Sequence, residues 1–125
     1  GKATLLPENT PEGTLQRYLI ALQEKQYSQA FEYLWFDPDY EHRGYDEWLQ
    51  MIGGYNSSPS QSAWKATLGS TTELNEKVLI DVTINTFRPG GFLSDPIRTQ
   101  RITFTLISVE NQWLISSPTW VYWFY

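Results

Sequence analysis

Residues 78–85 have the sequence VLIDVTIN, in which every second residue is a branched apolar side chain. Successive side chains of a β-strand point to opposite faces, so this alternation predicts a strand with one buried face. The residues of the buried face are Val78, Ile80, Val82 and Ile84. The residues of the opposite, solvent-facing side are Leu79, Asp81, Thr83 and Asn85. One apolar face requires a covering layer, which the rest of the chain must supply.

The sequence around this strand contains three further strand signals. Residues 64–68 and 101–106 also alternate between apolar and polar side chains, and residues 113–116 are a fourth, shorter strand. The connections at 73–76 and 110–111 are of the hairpin type, so consecutive strands should be antiparallel. A longer loop begins at residues 89–91, PGG, and ends near residue 96.

The C-terminal segment, residues 120–125, has the sequence WVYWFY and contains five aromatic residues. A period of two makes both of its faces apolar, which predicts a strand that is covered on each side. Chain ends are usually polar and frayed, so we expect this one to be fixed by packing.

In the first half of the chain, the apolar residues recur with the period of an α-helix. Thr10-Pro11-Glu12 is typical of a helix start, with a hydroxyl cap, an early proline and an acid near the positive end of the dipole. Apolar residues then recur at i, i+3, i+4 and i+7, which predicts an amphipathic helix that ends near residue 25. These residues are Leu15, Tyr18, Leu19 and Leu22. Residues 1–9 lack a sustained period and are predicted as a tail or linker.

Two shorter helices are predicted between the first helix and the strands. Ser28 can cap the second helix, on which Phe31 and Leu34 share a face, and Pro38 breaks it. The third helix spans about residues 45–52, and the glycines at 53 and 54 end it. Its apolar stripe consists of Tyr45, Trp48, Leu49 and Ile52. A serine-rich loop follows at 56–62.

Helices segregated before strands predict an α+β fold, with three N-terminal helices packed on one face of an antiparallel sheet of four or more strands. A chain of 125 residues suits one domain, which we place at residues 10–125.

The composition argues against several classes of partner and chemistry. Nine Lys and Arg against fourteen Asp and Glu give a net charge of −5, and the basic residues are scattered. We therefore expect neither nucleic acid nor an acidic membrane surface as a partner. No apolar run approaches the roughly 18 residues of a transmembrane helix. The absence of cysteine excludes disulfides and thiolate catalysis.

Two features of the sequence favour an exported or membrane-anchored extracytoplasmic protein. The chain begins GKA, without Met, and its 35 uncharged polar residues outnumber its 23 charged ones.

Three segments carry a resemblance to the nuclear transport factor 2-like superfamily, together with the strands from Trp64 onward. The segments are 15–22 (LQRYLIAL), 27–34 (YSQAFEYL) and 45–49 (YDEWL), and the likeness covers about residues 11–118. The resemblance implies a cone-shaped fold in which the helices cover a curved sheet and leave a deep pocket between them. The family contains isomerases, dehydratases, binding domains and accessory domains, so the resemblance does not choose a function.

The chain contains 20 aromatic residues, and four of them are the candidate ligand contacts. Trp35, Phe36, Tyr40 and Tyr45 flank the short helices, where the cone opens in this family. Rings beside tyrosine hydroxyls suit a small apolar or sugar-like ligand. An equal alternative is that these rings pack the mouth of the cone shut.

No motif assigns a catalytic residue. His42, the one histidine, lies in a polar loop and is expected to be exposed and dispensable. The acidic stretch at 37–47 fails the calcium-loop template, which requires Gly and Glu where His42 and Trp48 stand, so we expect no metal, and no cofactor. Arg98 and Arg101 should point to opposite faces of one strand and therefore do not form an anion clamp.

Three functions are compatible with these patterns. We favour a non-catalytic ligand-binding or accessory domain with a pocket between sheet and helices. The second hypothesis is a small-molecule isomerase or dehydratase that uses a pocket acid or histidine with a tyrosine. The third is an interaction module that forms a homodimer through its sheet.

Overall fold

The computed structural model describes residues 5–41, 43–51, 63–87, 96 and 98–119. The described chain has an α+β architecture, with three helices followed by a four-stranded antiparallel sheet. The helices are α1 (Pro11–Gln23), α2 (Tyr27–Phe31) and α3 (Tyr45–Met51). The strands are β1 (Ala63–Leu74), β2 (Lys77–Phe87), β3 (Arg98–Val109) and β4 (Gln112–Ser117).

The sheet is a meander in which each strand pairs with the next one along the chain. The β1–β2 turn contains Asn75 with φ 59°, and the β3–β4 turn contains Glu110 and Asn111 with φ 50° and 67°. Positive φ at turn residues matches the twist of tight hairpins, and asparagine tolerates this conformation best among non-glycine residues. Both predicted hairpins are therefore confirmed.

The buried face of β2 is the predicted one. Val78, Ile80, Val82 and Ile84 are at most 4 % exposed, and they belong to one hydrophobic core with Leu15, Leu19 and Leu22 of α1. Inner-face residues of β3 and β4 belong to the same core: Ile102, Phe104, Leu106 and Ile115. The helices thus cover the sheet on the side that the alternation indicates.

Strand β1 is longer than the predicted 64–68 because it continues through an irregularity. The pairing register with β2 shifts between Leu68 and Thr71. Gly69 lies at this shift, where an added Cβ would stand only 3.2 Å from the carbonyl oxygen of Asp81. The bulge and the polar residues that follow it conceal the period of two from the sequence.

The start of α1 is also as predicted. The Thr10 hydroxyl accepts a hydrogen bond from the Gly13 N–H at 3.0 Å and donates one to the Pro7 carbonyl at 2.7 Å. The chain before the helix folds back so closely that a Cβ at Gly13 would lie 1.8 Å from the Pro7 oxygen. The Leu6 N–H donates to Oε1 of Gln16 at 2.7 Å, which attaches this preceding segment to the helix.

The prediction that Ser28 caps α2 is wrong. The helix begins at Tyr27 with Gln26 as its N-cap, whose side chain makes no capping bond. The backbone sets this start, because Lys25 has φ 59° and the Gln26 N–H donates to the Ala21 carbonyl at 2.8 Å. The turn that closes α1 therefore places the first residue of α2, and no side-chain cap is needed.

Leu34 does not share a helical face with Phe31, as the spacing had suggested. The helix ends at Phe31, and Leu34 forms an isolated parallel bridge with Ile115 of β4. The Trp35 N–H donates to the Ile115 carbonyl and the Ile115 N–H donates to the Tyr33 carbonyl, both at 2.8 Å. The segment after α2 is thus bonded to β4.

Helix α3 begins at Tyr45, as predicted, and its described part ends at Met51. The expectations for His42, for the glycines at 53–54, for the loops at 56–62 and 89–95 and for the C-terminal segment 120–125 lie outside the described residues. No helix in the described ranges is long and apolar enough to cross a membrane.

The assigned register predicts that Ile80→Asp unfolds the domain. Ile80 is fully buried among apolar side chains, and an unpaired charge there costs several kcal/mol. Thermal unfolding followed by circular dichroism measures the effect. Thr83→Asp on the opposite face is the matched control, because it lies across from Arg101 and should be tolerated. An Ile80→Asp protein that melts like the parent would show that the register is shifted by one residue.

Candidate functional site

Three of the four predicted ligand contacts lie in one aromatic cluster. Phe31 is its centre, with ring centroids 5.5 Å from Phe36, 5.4 Å from Tyr45 and 5.5 Å from Trp48. Tyr40 extends the cluster outward by stacking on Phe36 at 6.2 Å. The two short helices therefore bring these three predicted residues together in space.

The cluster is graded from a buried to an exposed end. Trp48 is fully buried, Phe36 and Tyr45 are half-buried, and Tyr40 is 39 % exposed. Partial burial raises the pKa of the Tyr27 hydroxyl above its ordinary value of 10.0, and the neighbouring Tyr45 makes a smaller contribution in the same direction. The outer rings are thus accessible and the inner ones belong to the core.

Trp35, the fourth predicted contact, is held through its backbone. Its N–H donates to Ile115, and its side chain is half-buried. The hydrogen-bonded bridge between Leu34 and Ile115 places it beside β4.

Trp48 anchors α3 to the end of the described chain. Its indole N–H donates to the carbonyl oxygen of Thr119, 71 residues away. A buried indole needs a partner for its N–H, so this bond and the ring contacts together fix the helix. The sequence placed Trp48 on an apolar stripe but gave no sign of this bond.

Two polar side chains on the inner face of the sheet were not predicted as site residues. Thr86 is directly opposite Arg98, and Gln100 is opposite Ile84, so Thr86 and Gln100 are diagonal neighbours on the face that the helices cover. Diagonal neighbours in a sheet are about 7–8 Å apart. The Thr86 hydroxyl and the Gln100 carbonyl oxygen are both buried, and neither has a hydrogen-bond partner in the part of the chain that the structure describes.

Tyr18 of α1 presents a third buried oxygen. Its ring packs edge-on against Phe104 with centroids 6.4 Å apart, and its hydroxyl has no partner among the described residues. Burial raises the pKa of this hydroxyl well above its ordinary value of 10.0, so it remains protonated. The interior between helices and sheet therefore contains three oxygens that can accept a hydrogen bond.

Asp81 and the arginines lie where the alternation predicted. The register puts Asp81 and Arg101 on the outer face of the sheet and Arg98 in the inner-face row with Thr86. Thr103 and Ser70 donate their hydroxyls to Asp81 at 2.9 and 3.0 Å. These bonds, with the Thr103 bond contributing most, hold the pKa of Asp81 below its ordinary value of 3.8.

Metal coordination finds no support in the described ranges, because no three acidic or histidine side chains there come together in a way that could hold an ion. Apart from Tyr18, the buried polar residues of these ranges are Thr14 and Thr86, neither of which ionises. The interior of the described ranges therefore offers hydrogen-bonding oxygens and aromatic rings.

Comparison with known proteins shows a similarity of fold alone. No protein-family model matches the sequence, and no curated protein matches it. A SEC-C motif containing protein from Rhodopseudomonas palustris is similar in structure, with a TM-score of 0.59 and 16 % identity over 93 % of this chain and 82 % of that one. A protein from Catenulispora acidiphila, solved in complex with S-DNPA, has a TM-score of 0.60 and 12 % identity over 84 % of each chain. The chain shares its overall fold with these structures.

The anchoring bond predicts that Trp48→Phe destabilises the domain by about 1 kcal/mol, because the Thr119 carbonyl loses its donor while most of the ring remains. Trp48→Ala should cost about 3–5 kcal/mol. Urea denaturation measures both changes. Tyr45→Phe, which keeps the neighbouring ring, is the control and should change stability by less than about 0.5 kcal/mol. Equal stability of Trp48→Phe and the parent would show that the indole bond contributes nothing.

The lowered pKa of Asp81 predicts a defined pH dependence. The folded state binds fewer protons than the unfolded state between the two pKa values, so the ionised carboxylate stabilises the fold above pH 3.8. That stabilisation is lost as the pH falls through the lower, folded-state value. The melting temperatures of the parent and Asp81→Asn should therefore differ at neutral pH and converge in acid. In a Thr103→Val background the difference should be smaller, and a difference that persists unchanged into strong acid would contradict the assignment.

Proposed function

We propose that the chain is a non-catalytic ligand-binding or accessory domain of the nuclear transport factor 2-like kind, with its pocket between the inner face of the sheet and the helices. The observation that carries the proposal is the pair of unpartnered oxygens on Thr86 and Gln100. The fold shared with two solved structures supports the architecture, and one of those proteins was solved in complex with S-DNPA.

The free-energy cost of a buried oxygen without a partner is the reason why this pair supports a ligand site. A buried acceptor without a partner costs roughly 1–3 kcal/mol, so an interior normally satisfies or replaces such a group. Thr86 and Gln100 continue the apolar phase of Ile84 and Ile102, where valine or leucine would pack without this cost. A ligand that donates hydrogen bonds to both oxygens offsets this cost.

The surroundings indicate the character of the ligand. The neighbouring positions on this face are occupied by Ile84, Ile102 and the half-buried Ala66 and Trp64, and the charged Arg98 lies directly opposite Thr86. A mostly apolar wall with a few polar groups is typical of small-molecule sites. We therefore assign a compact, mainly apolar ligand with at least one hydrogen-bond donor, and we retain Trp35, Phe36, Tyr40 and Tyr45 as contacts at the mouth of the pocket.

The catalytic alternative is less well supported by the described residues. An isomerase or dehydratase needs a pocket acid or base, and Asp81 faces outward with two hydroxyl partners. The dimer alternative requires a contiguous apolar patch. The large apolar side chains that are exposed in the described ranges are Leu5, Tyr40, Met51 and Leu74. Tyr40 and Met51 line one depression together with Glu47 and Gln50, so that surface is mixed in polarity.

The proposal predicts opposite effects of one substitution on stability and on binding. Thr86→Val and Gln100→Met should each raise the stability of the free protein by about 1 kcal/mol, because an unsatisfied oxygen is removed. Both should weaken binding of phenol and indole, which carry one donor, and leave binding of toluene unchanged. Thermal unfolding and ligand-observed NMR provide the two measurements.

Thr83→Val is the matched control, because it makes the same change on the outer face of the same strand. It should alter neither binding nor the preference for a donor. Destabilisation by both inner-face substitutions would show that the oxygens have partners, and equal binding of toluene and phenol to the parent would remove the assigned role. Either result would overturn the proposal.

A further inference from the structure

A second concave site lies where the helical layer meets the start of β4, and it shares no lining residue with the proposed pocket. It is a cleft of about 500 Å³ between the segment before α1, α1 itself, the turn after α2 and the start of β4. The lining residues that matter for recognition are Glu8, Arg17, Glu32, Tyr33, Gln112 and Trp113. The volume is in the ordinary range for small-molecule sites.

Polar groups in this cleft supply both donors and acceptors. Arg17 has five N–H donors, and the structure shows one bond from its guanidinium, to the Gly13 carbonyl at 3.1 Å. Glu8 and Glu32 provide carboxylate acceptors. Neither forms an ion pair with Arg17 in the described ranges, so these charges are not used up on one another.

Two half-buried aromatic rings form the part of the cleft wall that is held in place by the core and the sheet. Trp113 and Tyr33 both pack against the hydrophobic core and are still partly exposed. Trp113 is paired with Ser108 in the sheet, and the Tyr33 carbonyl accepts the Ile115 N–H. Their positions are therefore fixed by backbone bonds before any ligand arrives.

The cleft is elongated by a neighbouring one. A second depression of about 290 Å³ continues along α1 toward Gln26 and Gln29, and it shares Glu8, Arg17 and Tyr33 with the first. Two joined depressions with shared walls accommodate a linear molecule better than a single ring.

We propose that this cleft binds a neutral oligosaccharide. Each sugar hydroxyl both donates and accepts, so a guanidinium and carboxylates side by side suit a sugar, and its C–H face packs on the partly exposed aromatic rings. Two carboxylates against one guanidinium disfavour a phosphate or another anion. A zwitterion such as a short peptide is the competing ligand, and the test includes it.

The experiment titrates the ¹⁵N-labelled protein with cellobiose, maltose and chitobiose, and separately with glycylglycine. Binding is followed at the indole N–H of Trp113, which is assigned by its loss in Trp113→Phe. At least one disaccharide should shift this signal to saturation, and glycylglycine should not. Arg17→Met and Glu32→Gln should each weaken that binding about tenfold or more. The charge-matched controls on the sheet, Arg101→Met and Glu73→Gln, should stay within about twofold of the parent.

Several outcomes would overturn the assignment. They are no saturable shift by any of the disaccharides, a shift that both cleft variants leave unchanged, or a response to glycylglycine alone. Thermal unfolding confirms that each variant is folded, and exposed Glu32 provides the test if Arg17→Met fails to fold. Thr86→Val should leave the saccharide titration unaltered, so failure of this site and failure of the inner pocket are distinguished.

Discussion

Burial of one face of β2 against α1 is the constraint on which the other elements depend. Val78, Ile80, Val82 and Ile84 lose almost all of their exposure only if the strand keeps its register with both neighbours. A shift by one residue would exchange these side chains for Asp81 and Asn85, which no interior accepts without partners. The meander, the position of α1 and the outward direction of Asp81 all follow from this one alternation.

Residues with a strong local period were predictable, and those governed by distant backbone bonds were not. The cap at Thr10 and the register of β2 follow from side chains within a few positions of one another. The start of α2 at Tyr27 depends on the positive φ of Lys25, and the role of Leu34 depends on Ile115, 81 positions later. No local pattern contains information about such a partner.

The candidate site likewise contains residues that the sequence analysis named and residues that it did not. Phe36, Tyr40 and Tyr45 lie in one cluster because aromatic residues around two short, adjacent helices have few places to pack apart from one another. Thr86 and Gln100 were missed, although a signal was present. Each continues the buried phase of its strand with a polar residue, two positions from Ile84 and Ile102. A polar side chain in an apolar phase departs from simple core packing, and the proposed pocket is argued from this departure.

The parallel bridge between Leu34 and Ile115 has a consequence for association with other chains. It occupies backbone groups of β4 that would otherwise offer a template for another strand, so intermolecular strand addition at this edge is obstructed. The opposite edge, β1, has no strand beyond it in the described sheet, and there the exposed Lys65 and the irregularity at Gly69 interrupt a regular ladder. The two edge strands are thus protected differently: β4 by main-chain hydrogen bonds, and β1 by a charge and an irregular ladder. Both features lower the tendency of the fold to aggregate through its strands.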